Sequence, residues 1–518
     1  MKLAEKLGFI GTTVSLTSIA FGWGIFPWFV KLQIGKIKGL SPGTESRDFW
    51  EKIPFAFDFK IYIFNVTNYL EVQKGGVPQL EEIGPYYYAE YKEKTDLVDY
   101  QEDDSVSFYM KNTWIFNKEK TAPLTGEEIV IVPHPLLMGL ILAVERDRAG
   151  ILPLINKAIP ILFDKPDSIF VKVKVFDFLF RGIIFNCTTK DFAASAVCAV
   201  LKKETNFLED ITPSVSKFSL LNNKNGTSEP NKFQVSRGIT DYSKVGEVMT
   251  VNGKKKLSFW RGRPCNSIRG TDGTVFPPDI KPEDDIWSFN MDLCRSLPAK
   301  YVGKTEFKSI STLRYNVTLG DMANDPALKC FCTDDTKCLK RGVADLLKCG
   351  GIPIVASQPH FYDAHEDYQN GVRGLNPNAE EHGIYFDIEP MTGTPLHAKK
   401  RIQFSFPLRK INKINITQTL PNVLLPFVWL EEGVELPDHL IEKIDSELFR
   451  ILRFLDIIKW VATLFGAAIV SGGIGLYYKE QNALPITPSS GSSRQSDFKS
   501  DKVTQNHELG HTNLAYIN

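Results

Sequence analysis

The sequence predicts a two-pass membrane protein, with one large β-rich loop between two transmembrane α-helices. Three observations carry this. An apolar stretch lies near each end, the segments between them alternate apolar and polar residues, and all eight cysteines fall between the stretches. The balance of 61 Lys+Arg against 61 Asp+Glu over 518 residues gives no basic face for nucleic acid. A mean hydropathy of −0.15 excludes a transporter with many spans.

The first stretch, residues 7–30, has 24 residues without a charge. As a helix it is about 36 Å long, enough to cross a hydrocarbon core of about 30 Å with some tilt. Trp23, Trp28 and Phe29 sit toward its far end, where amphipathic rings favour the headgroup boundary. A cleaved signal peptide would have a shorter apolar core and a small-residue cleavage site, whereas Pro27-Trp28-Phe29 follows here. The second stretch, residues 460–478, has 19 uncharged residues and rises about 28 Å. Gly466, Gly472, Gly473 and Gly475 offer it a close approach to the first helix.

The expected division is a cytosolic tail at 1–6, spans at 7–30 and 460–478, an extracellular ectodomain at 31–459, and a disordered cytosolic tail at 479–518. Lysines and arginines flanking the spans favour the opposite orientation, but that rule weakens for so long a loop. Glycosylation triplets at Asn65, Asn186, Asn225, Asn316 and Asn415 all lie within it. So do the cysteines, of which Cys265, Cys294, Cys330, Cys332, Cys338 and Cys349 form a cluster. An even set in one loop reads as a disulfide framework; zinc is the rival, but the paired C-x2-C spacing is missing. Six cysteines allow fifteen connectivities, and sequence alone does not choose among them. Cys187 and Cys198 are a further candidate pair.

Inside the loop, residues 60–66, 168–175 and 401–406 alternate with period two, the signature of half-buried strands. Helical patterns occupy 136–146, 152–163 and 190–203. No nucleophile elbow, phosphate-binding glycine loop or zinc-protease motif occurs, so no catalytic residue and no cofactor or metal is expected. Among the histidines outside the tail, His360 and His365 are closest in sequence, and His134 between two prolines reads as a turn residue. Asp272, in Gly270-Thr271-Asp272-Gly273-Thr274, reads as a turn-forming side chain.

A set of short motifs resembles the class B scavenger receptor family, in family order. They are Phe64-Asn65-Val66-Thr67-Asn68, Glu82-Ile83-Gly84-Pro85-Tyr86, Gly270-Thr271-Asp272-Gly273, Cys330-Phe331-Cys332, Pro359-His360-Phe361, Leu375-Asn376-Pro377 and Lys400-Arg401-Ile402-Gln403. Within it, Phe180-Arg181-Gly182, the Cys187 and Cys198 pair, and Asp292-Leu293-Cys294-Arg295-Ser296-Leu297 resemble the insect sensory neuron membrane proteins, the first, pheromone-sensing subgroup more than the second.

The resemblance implies an antiparallel β-barrel ectodomain with a helical cap and an internal hydrophobic tunnel. It implies the pairings Cys265 with Cys330, Cys294 with Cys349, and Cys332 with Cys338. Lys157 and Lys165 fall where family members place cations that receive acidic lipids. The implied function is a co-receptor in the dendritic membrane of olfactory neurons. It would bind long-chain lipids or pheromones, received from odorant-carrier proteins, and pass them to an odorant receptor and its co-receptor. The alternative is a scavenger-type receptor for lipids or lipoproteins in other tissue.

Overall fold

The computed structural model describes residues 2–204, 208–333, 338–351 and 353–482. Of the expected C-terminal tail, 483–518 lie outside the described residues, as does Met1. The chain divides into two units, one made of 1–21 with 457–518 and the other of 22–456.

In the first unit two long helices carry the apolar stretches, within Leu3–Lys38 and Asp438–Asn482. Phe9, Leu16, Leu464 and Phe465 are between 62% and 68% exposed, which suits a lipid-facing surface and not the core helix of a soluble protein. The helices meet through small side chains. A Cβ placed on Gly11 would lie 2.7 Å from Val470 N, and one on Gly466 would run into Ser15 Oγ. A Cβ on Gly473 would lie 3.0 Å from Gly8 N. Ser18 Oγ and Thr463 Oγ1 share a hydrogen bond of 2.9 Å. On one helix the contact positions are Ala4, Gly8, Gly11, Ser15 and Ser18; on the other they are Thr463, Gly466, Val470 and Gly473. Both series step by alternating three and four residues, the spacing of a left-handed helix pair. Gly472 and Gly475 face open space, so only part of the glycine cluster serves the approach.

The second unit is built on one antiparallel sheet of 13 strands. Its path runs from Val248–Val251 through Thr227–Ser236, Ser105–Phe116, Leu80–Tyr100, Phe57–Val66 and Val423–Glu435. It continues through Thr394–Leu408, Ile384–Glu389, Ile310–Val317 and Arg295–Phe307 to Ile286–Asn290. Alternation sets the inward face: Phe57, Phe59, Ile61 and Ile63 are buried while Lys60 and Tyr62 point to the other side. Val343–Asp345 and Val355–Ser357 branch from the Thr394–Leu408 strand.

The two ends of this path are joined by the segment around Thr271. Thr271 bridges to Glu247 beside the first strand and to Ser288 in the last. Val248 N donates to Gly270 O at 2.9 Å, Thr271 N to Trp287 O at 3.1 Å, and Phe289 N to Thr271 O at 2.8 Å. Gly270 has φ +82°, and any Cβ there would collide with Trp287 O, so glycine is required. Asp272 makes the expected turn, accepting from Thr274 N at 2.9 Å. Its carboxylate also lies 3.6 Å from the buried Lys94 ammonium.

The cap consists of helices Pro135–Arg148, Leu152–Leu162 and Phe192–Glu204. Pro135 opens the first, where its missing N–H costs nothing. Leu152, Ile155, Ala158, Ile159 and Leu162 form the buried stripe of the second. The four disulfides are Cys187–Cys198, Cys265–Cys330, Cys294–Cys349 and Cys332–Cys338. The first ties the end of strand Ile183–Asn186 to a cap helix.

Candidate functional site

A groove of about 500 Å³ opens between the cap and the loop that carries Asn415. The cap helix contributes Asn156, Ile159 and Pro160, and the turn after it contributes Lys165, Pro166 and Asp167. Gln73, Lys74 and Asn415 complete much of the opposite wall. Lys165 N donates to Pro160 O at 2.8 Å, and Asn415 N donates to Asn156 Oδ1 at 2.7 Å, fixing both walls to the same helix. Gln73 spans the floor, accepting from Ile169 N at 3.0 Å and donating to Ile416 O at 2.6 Å. The size falls in the range of small-molecule sites. Its lining is divided about evenly between polar and apolar surface, with two exposed cations, Lys74 and Lys165, against one carboxylate, Asp167. The two cations suit an anionic or polar head group, and the apolar half of the lining suits the chain attached to it. Of the two sequence candidates, Lys165 lines this groove; Lys157 is exposed on the same helix but is not part of the lining.

The other sequence candidates divide by exposure. Asn186, Asn316 and Asn415 are exposed. Asn65 and Asn225 are half-buried, and their amides are engaged. Asn225 accepts from Trp114 N at 2.8 Å and donates to Trp114 O at 3.3 Å. Asn65 accepts from Ile131 N at 2.9 Å and donates to Glu81 at 3.2 Å.

Several of the short motifs meet around His360. Its Nε2 donates to Glu82 Oε2 at 2.6 Å, because its Nδ1 is occupied in accepting from Asn376 N at 3.0 Å. Trp429 Nε1 donates to the same Glu82 oxygen at 2.7 Å, and His360 N donates to Gln403 Oε1 at 2.7 Å. The Phe64 ring stands 5.2 Å away, edge-on. His365 is the histidine nearest to His360 in sequence, but the ring stacked on it at 4.2 Å is His382. Burial and the neighbouring His360 lower the His382 imidazole to about 4. Burial opposes the charge of Glu82, yet the hydrogen bonds from His360 and Trp429 hold its carboxyl below the usual range. Beside this hub, burial likewise opposes Glu431, but Lys60 at 2.8 Å with Lys399 and Arg401 draws it down to about 2. Among the described residues no cluster has the composition of a metal site. The hub locks distant strands together.

The inward face of the Leu80–Tyr100 strand is unusual in its polarity. Glu90 and Lys92 follow Tyr86 and Tyr88 on it, and the Lys92 ammonium lies 3.2 Å from Glu90 and 2.8 Å from Glu432. Burial raises Glu90, while Lys92 and Lys400 keep Glu432 ionised in spite of burial.

A closed antiparallel sheet with a helical cap, on a chain with two long apolar helices, is the architecture of a two-pass membrane protein. The chain belongs to the CD36 family, whose signature covers residues 9–477. It is 66% identical over the full length of both chains to Sensory neuron membrane protein 1 of Pediculus humanus subsp. corporis. Identity to Sensory neuron membrane protein 1 of Apis mellifera is 43%, over 93% of each chain. The Manduca sexta protein of that name is 41% identical over 93% of this chain and 92% of its own.

Proposed function

We propose that this chain binds long-chain apolar ligands in its ectodomain and passes them to an odorant receptor in the membrane of olfactory neurons. The observation that carries the reading is the 66% identity, over both full lengths, to a protein named for sensory neuron membranes. Both termini lie in the cytosol and the large loop outside; the disulfides and exposed glycosylation triplets support this orientation. Carrier proteins bring the ligand to the cap, the groove at Lys165 receives its polar end, and a tunnel through the ectodomain guides it toward the membrane.

A chain of about ten methylenes gains roughly 8 kcal/mol on burial, enough for micromolar binding before association costs. Affinity therefore grows with chain length, and no bond is made or broken.

The test is the current through an odorant receptor and its co-receptor in cells with and without this chain, under a long-chain ligand. The expected result is a lower threshold with faster rise and decay. No change where surface expression is verified refutes delivery and favours the scavenger-type reading, to which the exposed Lys74 and Lys165 cations are also suited.

A further inference from the structure

The groove and one glycosylation triplet share a residue. Asn415 opens the triplet Asn415-Ile416-Thr417, is exposed, and forms part of the groove wall together with Ile416. The other exposed triplets, at Asn186 and Asn316, do not line it. The turn that carries Asn415 is held from beneath. Thr417 is fully buried, and its hydroxyl accepts from Ile411 N at 3.2 Å and donates to Ile414 O at 3.0 Å. Gln418 Nε2 donates to Ile411 O at 2.7 Å, and Gln73 Nε2 donates to Ile416 O at 2.6 Å. Asn415 is tied to the facing cap helix through its backbone N–H, 2.7 Å from Asn156 Oδ1, which leaves its side-chain amide for a sugar. A sugar joined there stays at the groove, because the turn beneath it is pinned.

We infer that an N-linked glycan on Asn415 makes the groove a steric filter, which admits single long-chain anionic molecules and holds off anionic lipid surfaces. The sugar chain comes from a lipid-linked oligosaccharide; its first sugar bonds to Asn415 Nδ2, and the donor's pyrophosphate leaves with one amide proton. Lys74 and Lys165 by themselves draw in a free acid and a charged lipid surface alike. That attraction fades over about 8 Å at physiological ionic strength. A bulky, hydrated sugar chain on the wall keeps a broad surface outside this range, whereas one extended molecule passes beside it. The inference rests on the lipid-binding reading above for the molecule admitted. It adds the physical form in which lipid reaches the groove.

The test uses cells that display the full chain, with glycopeptide mass spectrometry to verify sugar on Asn415. Binding of fluorescent phosphatidylserine–phosphatidylcholine vesicles and of radiolabelled tetradecanoate is measured per surface copy and corrected for cells without the chain. Asn415→Gln is expected to raise vesicle binding several-fold and tetradecanoate binding far less. Adding Lys165→Gln is expected to return vesicle binding to the wild-type level, and Asn316→Gln alone to leave it there. Endoglycosidase trimming of the wild type already at the surface is expected to reproduce the rise, which covers a variant that fails to fold. Vesicle binding that neither treatment changes overturns the filter, as does an equal rise with Asn316→Gln or a wild type without sugar on Asn415. A rise that survives Lys165→Gln also overturns it, because the vesicle is then held away from the groove. A wild type that binds no tetradecanoate removes the lipid-binding reading, while the vesicle arm still decides the filter.

Discussion

Replacing His382 by glutamine converts the acid sensitivity of the ectodomain into a measurable difference. The imidazole is stacked 4.2 Å from His360 and is 4% exposed. It titrates at about 4 when folded, because of burial first and the adjacent His360 second, against 6.5 for the free group. Glu82 and Glu431 attract a proton toward the ring while Arg401 opposes it. Between these two values the unfolded chain binds a proton that the native chain refuses, so stability falls as pH falls through that window and the loss is complete below about pH 4. The interval corresponds to about 3 kcal/mol. His382→Gln removes that component and retains an acceptor for Asn378 N, which bonds to His382 Nδ1 at 2.9 Å. The assay is chemical unfolding of the solubilised chain at pH 7 and pH 4, with disulfides intact. Tryptophan fluorescence reports on it, since the Trp429 ring lies 5.8 Å from His382. The variant is expected to gain about 3 kcal/mol relative to the wild type across that change. A gap that stays constant with pH would refute the reasoning.

Other consequences follow from local geometry. Gly466→Leu should destabilise the helix pair by about 1–3 kcal/mol, measured as thermal stability in detergent, whereas Gly472→Leu, with open space around it, should have little effect. Removing the Cys265–Cys330 bridge, with a sequence separation of 65, should cost about 4 kcal/mol on chain-entropy grounds. The Cys332–Cys338 bridge, with a separation of 6, should cost about 2 kcal/mol, so unfolding midpoints of the paired serine variants should rank in that order. Glycopeptide mass spectrometry should find sugar on the exposed Asn186, Asn316 and Asn415 and none on Asn65 or Asn225, whose amides are spent on Ile131, Glu81 and Trp114. A glycan on Asn225 of the folded chain would refute the last expectation.

Local signals in the sequence were strong where the solvent is uniform. A charge-free run marks a membrane helix because the bilayer tolerates nothing else, and both runs lie in long helices. Alternation at 60–66 and 401–406 lies in the strands Phe57–Val66 and Thr394–Leu408, and the pattern at 190–203 in the helix Phe192–Glu204. What sequence spacing missed is set by long-range register. His382 reaches His360 across 22 positions because the chain turns at His360 itself, with φ +54°. The small residues of the first helix, Ala4 to Ser18, acquire meaning only when the second helix supplies the facing contacts. The glycines of the second helix were the available clue to the seam, and of these Gly466 and Gly473 serve it.

The joint at Thr271 bears on how this protein can meet others. Strand ends of an open sheet present bare N–H and C=O groups, and a second polypeptide can dock there by extending the sheet. Here the N–H and C=O of Thr271 are both committed to the Ile286–Asn290 strand, and Gly270 O is committed to Val248 on the other side. The main wall therefore lacks a templating edge at that seam. A receptor subunit or carrier that recognises the seam must read side chains and loops, not extend the sheet.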